Sequence, residues 1–218
     1  MQFVDAERLE RLREFDGSTL ANAIETFDVR LRNEGFADGS VRCMFPDGPP
    51  VLGYAVTARI RCSPPPPAVG HRYHDRTDWW SHIAQVQGPR FVVVQDIDER
   101  PGFGAFVGEV HASILRRLGC VAYATNGLRF FASSIAVSHA FAHLVDFGDP
   151  VEIGGLKVES GDLLFGDVHG VQSIPVGVLD RLADVAEEMV AKDRTVIRLC
   201  ESPDFSIDKL RHLVGSLE

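Results

Sequence analysis

The sequence predicts a mixed α/β protein, and three stretches carry that reading. Residues 91–96, FVVVQD, are a short, continuous β-branched run of the kind found in strands buried on both faces. Residues 109–118 place Val110, Ile114, Leu115 and Leu118 on one side of a helix that stops at Gly119. Residues 120–124, CVAYA, then form a second buried strand. Upstream, 51–61 (VLGYAVTARIR) alternates as a strand does, and 78–86 (DWWSHIAQV) has helical apolar spacing behind Asp78. The order is β-α-β-α-β, which implies parallel neighbours joined by right-handed crossovers.

The flanking elements follow by the same logic. The first 30 residues suggest two helices, the second starting at DGST, where Ser18 or Thr19 can cap the orphan amides of LANAIETF. Residues 150–158, PVEIGGLKV, read as a hairpin turning at Gly-Gly. Residues 161–175 carry two short strands split by a turn at 167–170. A long helix then spaces Leu182, Val185, Met189, Val196, Ile197 and Cys200 by three or four residues. The proline run SPPPPAVG is a stiff connector that cannot join a sheet ladder, and composition does not shift across it. The expected organisation is one domain over residues 1–218 with helical N- and C-terminal extensions.

Bulk properties exclude several functions. A net charge of -9 and a pI near 5.3 argue against nucleic acid, whose binding rests on clustered Lys and Arg. No run of about 18 apolar residues exists to span a membrane. The opening MQFVDAERLERLREF is a charged helix pattern without the apolar stretch of a signal peptide, so a cytoplasmic location is expected. Cys43, Cys62, Cys120 and Cys200 show no CxxC spacing and read as free thiols.

Chemistry concentrates at two strand ends. In RPGFGAFVGEV (100–110), Gly102, Gly104 and Gly108 let backbone approach a ligand, and the helix that follows offers unpaired N–H groups and the positive end of its dipole. The next strand ends in ATNGLR, bringing Asn126 and Arg129 to the same edge, where ligands bind in open α/β sheets. That places Gly104, Ala105, Phe106, Val107, Gly108, Glu109, Asn126 and Arg129 around one candidate anion site. The loop fits neither the phosphate-binding GK[ST] pattern nor GxGxxG, and such loops also exist simply to turn the chain.

Longer stretches (GYAVTA at 53–58, VVVQDID, GAFVGEVHA at 104–112, LGCVAYATNGLR, SHAFAH at 138–143 and PVEIGGLKVESGDLLFGDVHGVQSIP) resemble the RraA-like family. That family includes 4-hydroxy-4-methyl-2-oxoglutarate aldolases, oxaloacetate decarboxylases and the regulator of RNase E, and many members were once mislabelled demethylmenaquinone methyltransferases. The resemblance implies a three-layer β/β/α swivelling-domain (phosphohistidine-domain-like) fold with mixed sheets. It implies a homotrimer, sometimes paired into a hexamer, with the site between subunits. By the same resemblance the loop amides of 104–109 and Arg129 hold a small 2-oxo acid or other carboxylate, and Glu109 organises water for proton transfer. A neighbour's C-terminal helix adds an acid, with Glu187, Glu188 and Asp193 all open. The family's Mg²⁺ or Mn²⁺ is held chiefly by an Asp directly after the Arg, and here that position is Phe130, in a stretch one residue short. Phenylalanine has no lone pair for an ion that wants oxygen ligands.

Two functional readings follow. One is a pyruvate-forming, metal-assisted lyase of 2-oxo acids with a degenerate metal site and no assigned metal ligand. The other is a non-catalytic homotrimer that binds a protein or small anion, as the regulator branch does. The histidines add little. His139 and His143 have metal-like helical spacing, but SHAFAH alternates like a strand, on which i and i+4 lie about 13 Å apart. His169 sits in a turn that suits a structural hydrogen bond, and His71 and His74 follow the proline run. Trp79 and Trp80 read as core or subunit interface.

Overall fold

The computed structural model describes residues 5–66, 76–128, 131–134 and 136–217. Two helices, α1 (Ala6–Leu12) and α2 (Gly17–Glu25), precede a two-residue strand β1 (Arg42–Cys43) and the long β2 (Val51–Arg61). Next come α3 (Arg76–Gln85), β3 (Arg90–Asp96), α4 (Glu109–Arg117), β4 (Cys120–Leu128) and β5 (Phe131–Ser134). The second half holds β6 (His143–Phe147), the hairpin β7 (Val151–Ile153) and β8 (Leu156–Val158), then β9 (Leu163–Asp167) and β10 (Gly170–Ser173). Helices α5 (Leu179–Glu201) and α6 (Ile207–Leu217) end it.

The main sheet runs β1-β5-β4-β3-β2-β9-β10, with β6 also on β2. Strands β2, β3 and β4 are parallel neighbours, as the β-α-β-α-β pattern requires. On its other edge β2 is shared: its first residues pair with β9 and its last with β6, both antiparallel.

Alternation of side chains across this sheet builds three layers. Ala55, Phe91, Val93 and Ala124 face the β7–β8 hairpin and meet Val151, Ile153, Leu156 and Val158. Val56, Ala58, Val92, Val94 and Tyr123 face the other way, onto Trp79 and Ile83 of α3 and Leu115 of α4. Leu52, Tyr54, Leu163 and Phe165 continue that face under α1, α2 and α5. Hairpin, sheet and helices stack as β/β/α. The hairpin turns at Gly154 and Gly155, both at positive φ (52° and 75°), a backbone that side-chain-bearing residues rarely adopt. At Gly53 a Cβ would stand 2.9 Å from the Arg90 carbonyl carbon and the Phe91 nitrogen, so GYAVTA carries its glycine to let β2 approach β3.

Several expectations are corrected. Asp16, not Ser18 or Thr19, caps α2: its extended backbone lies outside the helix and its carboxylate accepts from the Thr19 N–H at 2.7 Å. The strand read over 120–124 is longer: β4 continues through Asn126 to Leu128, with a register irregularity after Thr125. SHAFAH is irregular until His143 opens β6. On α4, Val110 is 76% exposed, so the buried stripe is His111 and Leu115. The four cysteines are free. Among the described residues no helix is long and apolar enough to cross a membrane.

Candidate functional site

The candidate loop begins where β3 ends, at Asp96, a carboxylate only 1% exposed. Its Oδ1 accepts from the Asp98 N–H at 3.1 Å and its Oδ2 from the Gly102 N–H at 2.8 Å. From β4, the Asn126 carboxamide accepts from the Asp96 N–H at 2.6 Å and donates to the Asp96 carbonyl at 2.9 Å. The regular β3–β4 ladder stops at the Val94–Thr125 pair, and a side-chain amide, a peptide group in miniature, continues it for one residue. Burial pushes the Asp96 carboxyl up from the usual carboxylate range, against the pull of the Gly102 and Asp98 N–H donors.

A second carboxylate extends the junction to β2. Asp98 Oδ2 accepts from the Cys62 N–H at 2.8 Å and the Ser63 N–H at 2.6 Å. The Cys62 thiol is pushed up to about 12, by burial first and then by Asp96 and Asp98, which leaves it a protonated, unreactive filler.

The predicted loop residues divide in their tasks. At Gly104 a Cβ would stand 2.7 Å from the His139 carbonyl oxygen and 2.9 Å from Cys62 Cβ, so this glycine admits another segment of the chain. Ala105 N–H donates to the Ser138 carbonyl at 2.9 Å. Phe106 and Val107 are buried. Gly108 differs: nothing lies within 4 Å of where its Cβ would stand, and as N-cap of α4 it supplies no side-chain cap. Exposed Glu109 opens the helix there. Behind the loop, Arg76 lies 5.4 Å above the Phe106 ring, and His111 meets Phe106 and Trp80 edge-on. Burial pushes His111 down, so it is a neutral imidazole. The helical pattern gave no sign of this polar core residue.

A cleft of about 740 Å³ runs along the outside of α4, between Glu109, Ser113 and Arg116 on the helix and Cys120, Val121 and Tyr123 on β4. Glu109 thus borders both the open helix start and this cleft. Asn126 is tied to Asp96 instead of standing apart as a ligand group. Arg129 and Phe130 lie outside the described residues, as do His71 and His74. Glu187, Glu188 and Asp193 are exposed on α5, where Glu187 pairs with Arg11 at 3.5 Å.

His139, His143 and His169 hold backbone or carboxylate. His139 Nδ1 meets the Ala140 carbonyl at 2.7 Å and His143 Nδ1 the Phe141 carbonyl at 2.6 Å. His169 Nδ1 bonds Asp167 Oδ2 at 3.0 Å, and the same carboxylate accepts from the His169 and Gly17 N–H groups. Among the described residues no group of three or more His, Cys, Asp or Glu could hold a metal ion.

No protein-family model matches the sequence, and no curated protein matches it. Solved structures do. An uncharacterized protein from Pseudomonas syringae pv. tomato str. DC3000 aligns with a TM-score of 0.71 at 16% identity, covering 97% of this chain and 95% of its own. Streptomyces coelicolor RraAS2, an unusual member of the RNase ES inhibitor RraA protein family, aligns at 0.66 and 18% identity, covering 89% and 98%. A structure described among novel cellulases from microbes associated with the gut ecosystem aligns at 0.69 and 18%, covering 89% of each chain. This chain has the RraA-like fold. The RraA-like sheet, with its glycine-rich loop at the carboxyl end of β3, is the frame in which Gly108 and Glu109 are set.

The His169–Asp167 contact yields a pH prediction. Asp167 raises the His169 pKa, by its hydrogen bond first, so the contact favours the charged imidazolium. Its contribution to stability is fully present below the ordinary histidine pKa of about 6.5 and is lost as pH rises through the higher folded value. His169 is half exposed, and solvent keeps that contribution small. NMR titration should show His169 above an ordinary histidine in the natural protein and returned toward it in Asp167→Asn; equal values in both would refute the assignment.

Proposed function

We propose that this protein is a homotrimeric member of the RraA-like family that binds a small 2-oxo acid or related carboxylate at the start of α4, with Arg129, and has lost metal-assisted lyase chemistry. One observation carries the binding half. The first turn of α4 is uncapped by any side chain, opens on free space at Gly108, and sits at the carboxyl end of parallel strands. Orphan helix amides and the helix dipole stabilise a carboxylate there, and in this reading Arg129 is its bidentate partner. Glu109, exposed on the same turn, is positioned to hold a water beside a bound acid.

The donor set does not fit a divalent metal. Mg²⁺ takes oxygen ligands and relies on one or two carboxylates. Phe130 replaces the principal one, Asp96 and Asp98 spend their carboxylates on backbone N–H groups, and exposed Glu109 acts through water.

A second reading, a binding or regulatory protein of the RNase E regulator type, is favoured by apolar surface at the same edge. Phe103, Val110, Val137 and Phe141 are all more than half exposed, and the Ala105–Ser138 bond brings their two segments together. In the trimer this surface meets neighbouring copies of the chain. Sedimentation equilibrium should give three times 24.0 kDa at micromolar concentration, and a monomer mass would sink the trimer.

Calorimetry with oxalate tests the binding half. Arg129→Ala should weaken binding by about 2 to 4 kcal/mol, as when one partner of a buried charge pair is removed. Equal affinity in both proteins would rule out the clamp.

Pyruvate release from oxaloacetate with added Mn²⁺ tests the chemical half. Little or no turnover is expected from the natural protein, with activity gained in Phe130→Asp. Robust, chelator-sensitive turnover by the natural protein would show that another carboxylate serves as the ligand.

A further inference from the structure

We propose that Asp96 is the positioning residue of the glycine-rich loop, and that it works with Asn126 to refer that loop and the strand leading to Arg129 to one buried point. The link to ligand binding rests on the carboxylate-site reading above; the link to loop geometry does not.

Three observations carry it. The loop leaves β3 at Asp96, and two of its backbone donors, Asp98 N–H and Gly102 N–H, return to the two oxygens of that one carboxylate. Asn126 stands three residues before Arg129 and holds both backbone groups of Asp96. Asp98 then fixes Cys62 and Ser63 just past the end of β2, and Cys62 with the His139 carbonyl leaves no room for a side chain at Gly104. The loop is thus pinned near its start, at its first glycine and at its second, while Gly108 faces open space. A site must be held to about half an ångström by such supporting bonds to bind a planar acid well.

The chemistry demands aspartate at this place. Two converging N–H donors need two acceptors, and asparagine offers one oxygen plus an NH₂ that would confront the second donor. A buried donor left without an acceptor costs more than the hydrogen bond was worth. The charge itself is held by these N–H groups. Asp98 opposes it, Arg61 at the end of β2 favours it, and the Cys62 thiol and the Tyr123 hydroxyl of β4 face the same region.

Amide hydrogen exchange on the full chain tests this. In Asp96→Asn the Gly102 amide should exchange roughly tenfold faster or more, as expected for losing a hydrogen bond to a charged acceptor, while β8 and β9 keep their protection. In Asn126→Ala the Asp96 amide, which loses its acceptor, should exchange faster by a similar factor while β8 and β9 again keep their protection. A residue that merely packs would not speed exchange at these named amides alone. Wild-type-like protection of Gly102 in Asp96→Asn, or of the Asp96 amide in Asn126→Ala, overturns the proposal; if Asp96→Asn does not fold, Asn126→Ala decides alone. Oxalate affinity should fall about tenfold in Asp96→Asn, and unchanged affinity with a loosened loop overturns the positioning role. If the natural protein binds no oxalate at all, the carboxylate-site reading fails and the exchange data still decide the loop.

Discussion

Strand β2 is the member on which the other elements lean. It lends one edge to β3 in parallel register and divides the other between β9 and β6, so its backbone groups are paired along nearly its whole length. Its side chains feed all three apolar clusters: Leu52 and Tyr54 go under the terminal helices, Ala55 under the hairpin, and Val56, Ala58 and Ile60 under α3 and α4. A strand buried on both faces can hold no charged side chain in its middle, and VLGYAVTARIR keeps its two arginines for the end. There Arg59 reaches Asp146 of β6 in a paired contact, Nε donating to one carboxylate oxygen at 2.7 Å and Nη2 to the other at 2.6 Å along one edge of the guanidinium.

The candidate site is a consequence of that sheet. Parallel β2, β3 and β4 finish at the same edge, where their backbone groups run out of ladder partners. The chain meets the deficit with side chains: Asn126 serves Asp96, Asp96 serves Asp98 and Gly102, and Asp98 serves Cys62 and Ser63. Asp96 is buried, Asp98 and Asn126 are half-buried, and backbone satisfies each, so among the described residues this edge is tied down at its base and opens at Gly108 and Glu109. Such an arrangement suits binding of a small rigid anion. It also explains why Cys62, beside two carboxylates, has no nucleophilic part to play.

The RraA-like fold adds context without adding chemistry to this chain, since the solved structures share 16% to 18% of its residues. At that distance the architecture is held by the pattern of burial more than by particular side chains. Functional inference rests instead on the local facts: an uncapped helix start, an arginine three residues past a structural asparagine, and a phenylalanine where a carboxylate would be needed.

By itself the sequence determined the elements whose signals are local. The β-α-β-α-β core, the Gly-Gly hairpin, the paired strands around 167–170 and the long C-terminal helix all appear where periodicity and turn residues put them. Burial repeats every two or every 3.6 residues, and that period is written in neighbouring letters. What only the tertiary structure decided depends on partners distant in sequence. Gly104 is glycine because His139 crosses it, Asn126 is tied up because Asp96 ends the adjacent strand, and Val110 faces out because His111 takes the inward place on α4. Register, sheet twist and the path of a crossing segment set those meetings, and no window of a dozen residues contains them.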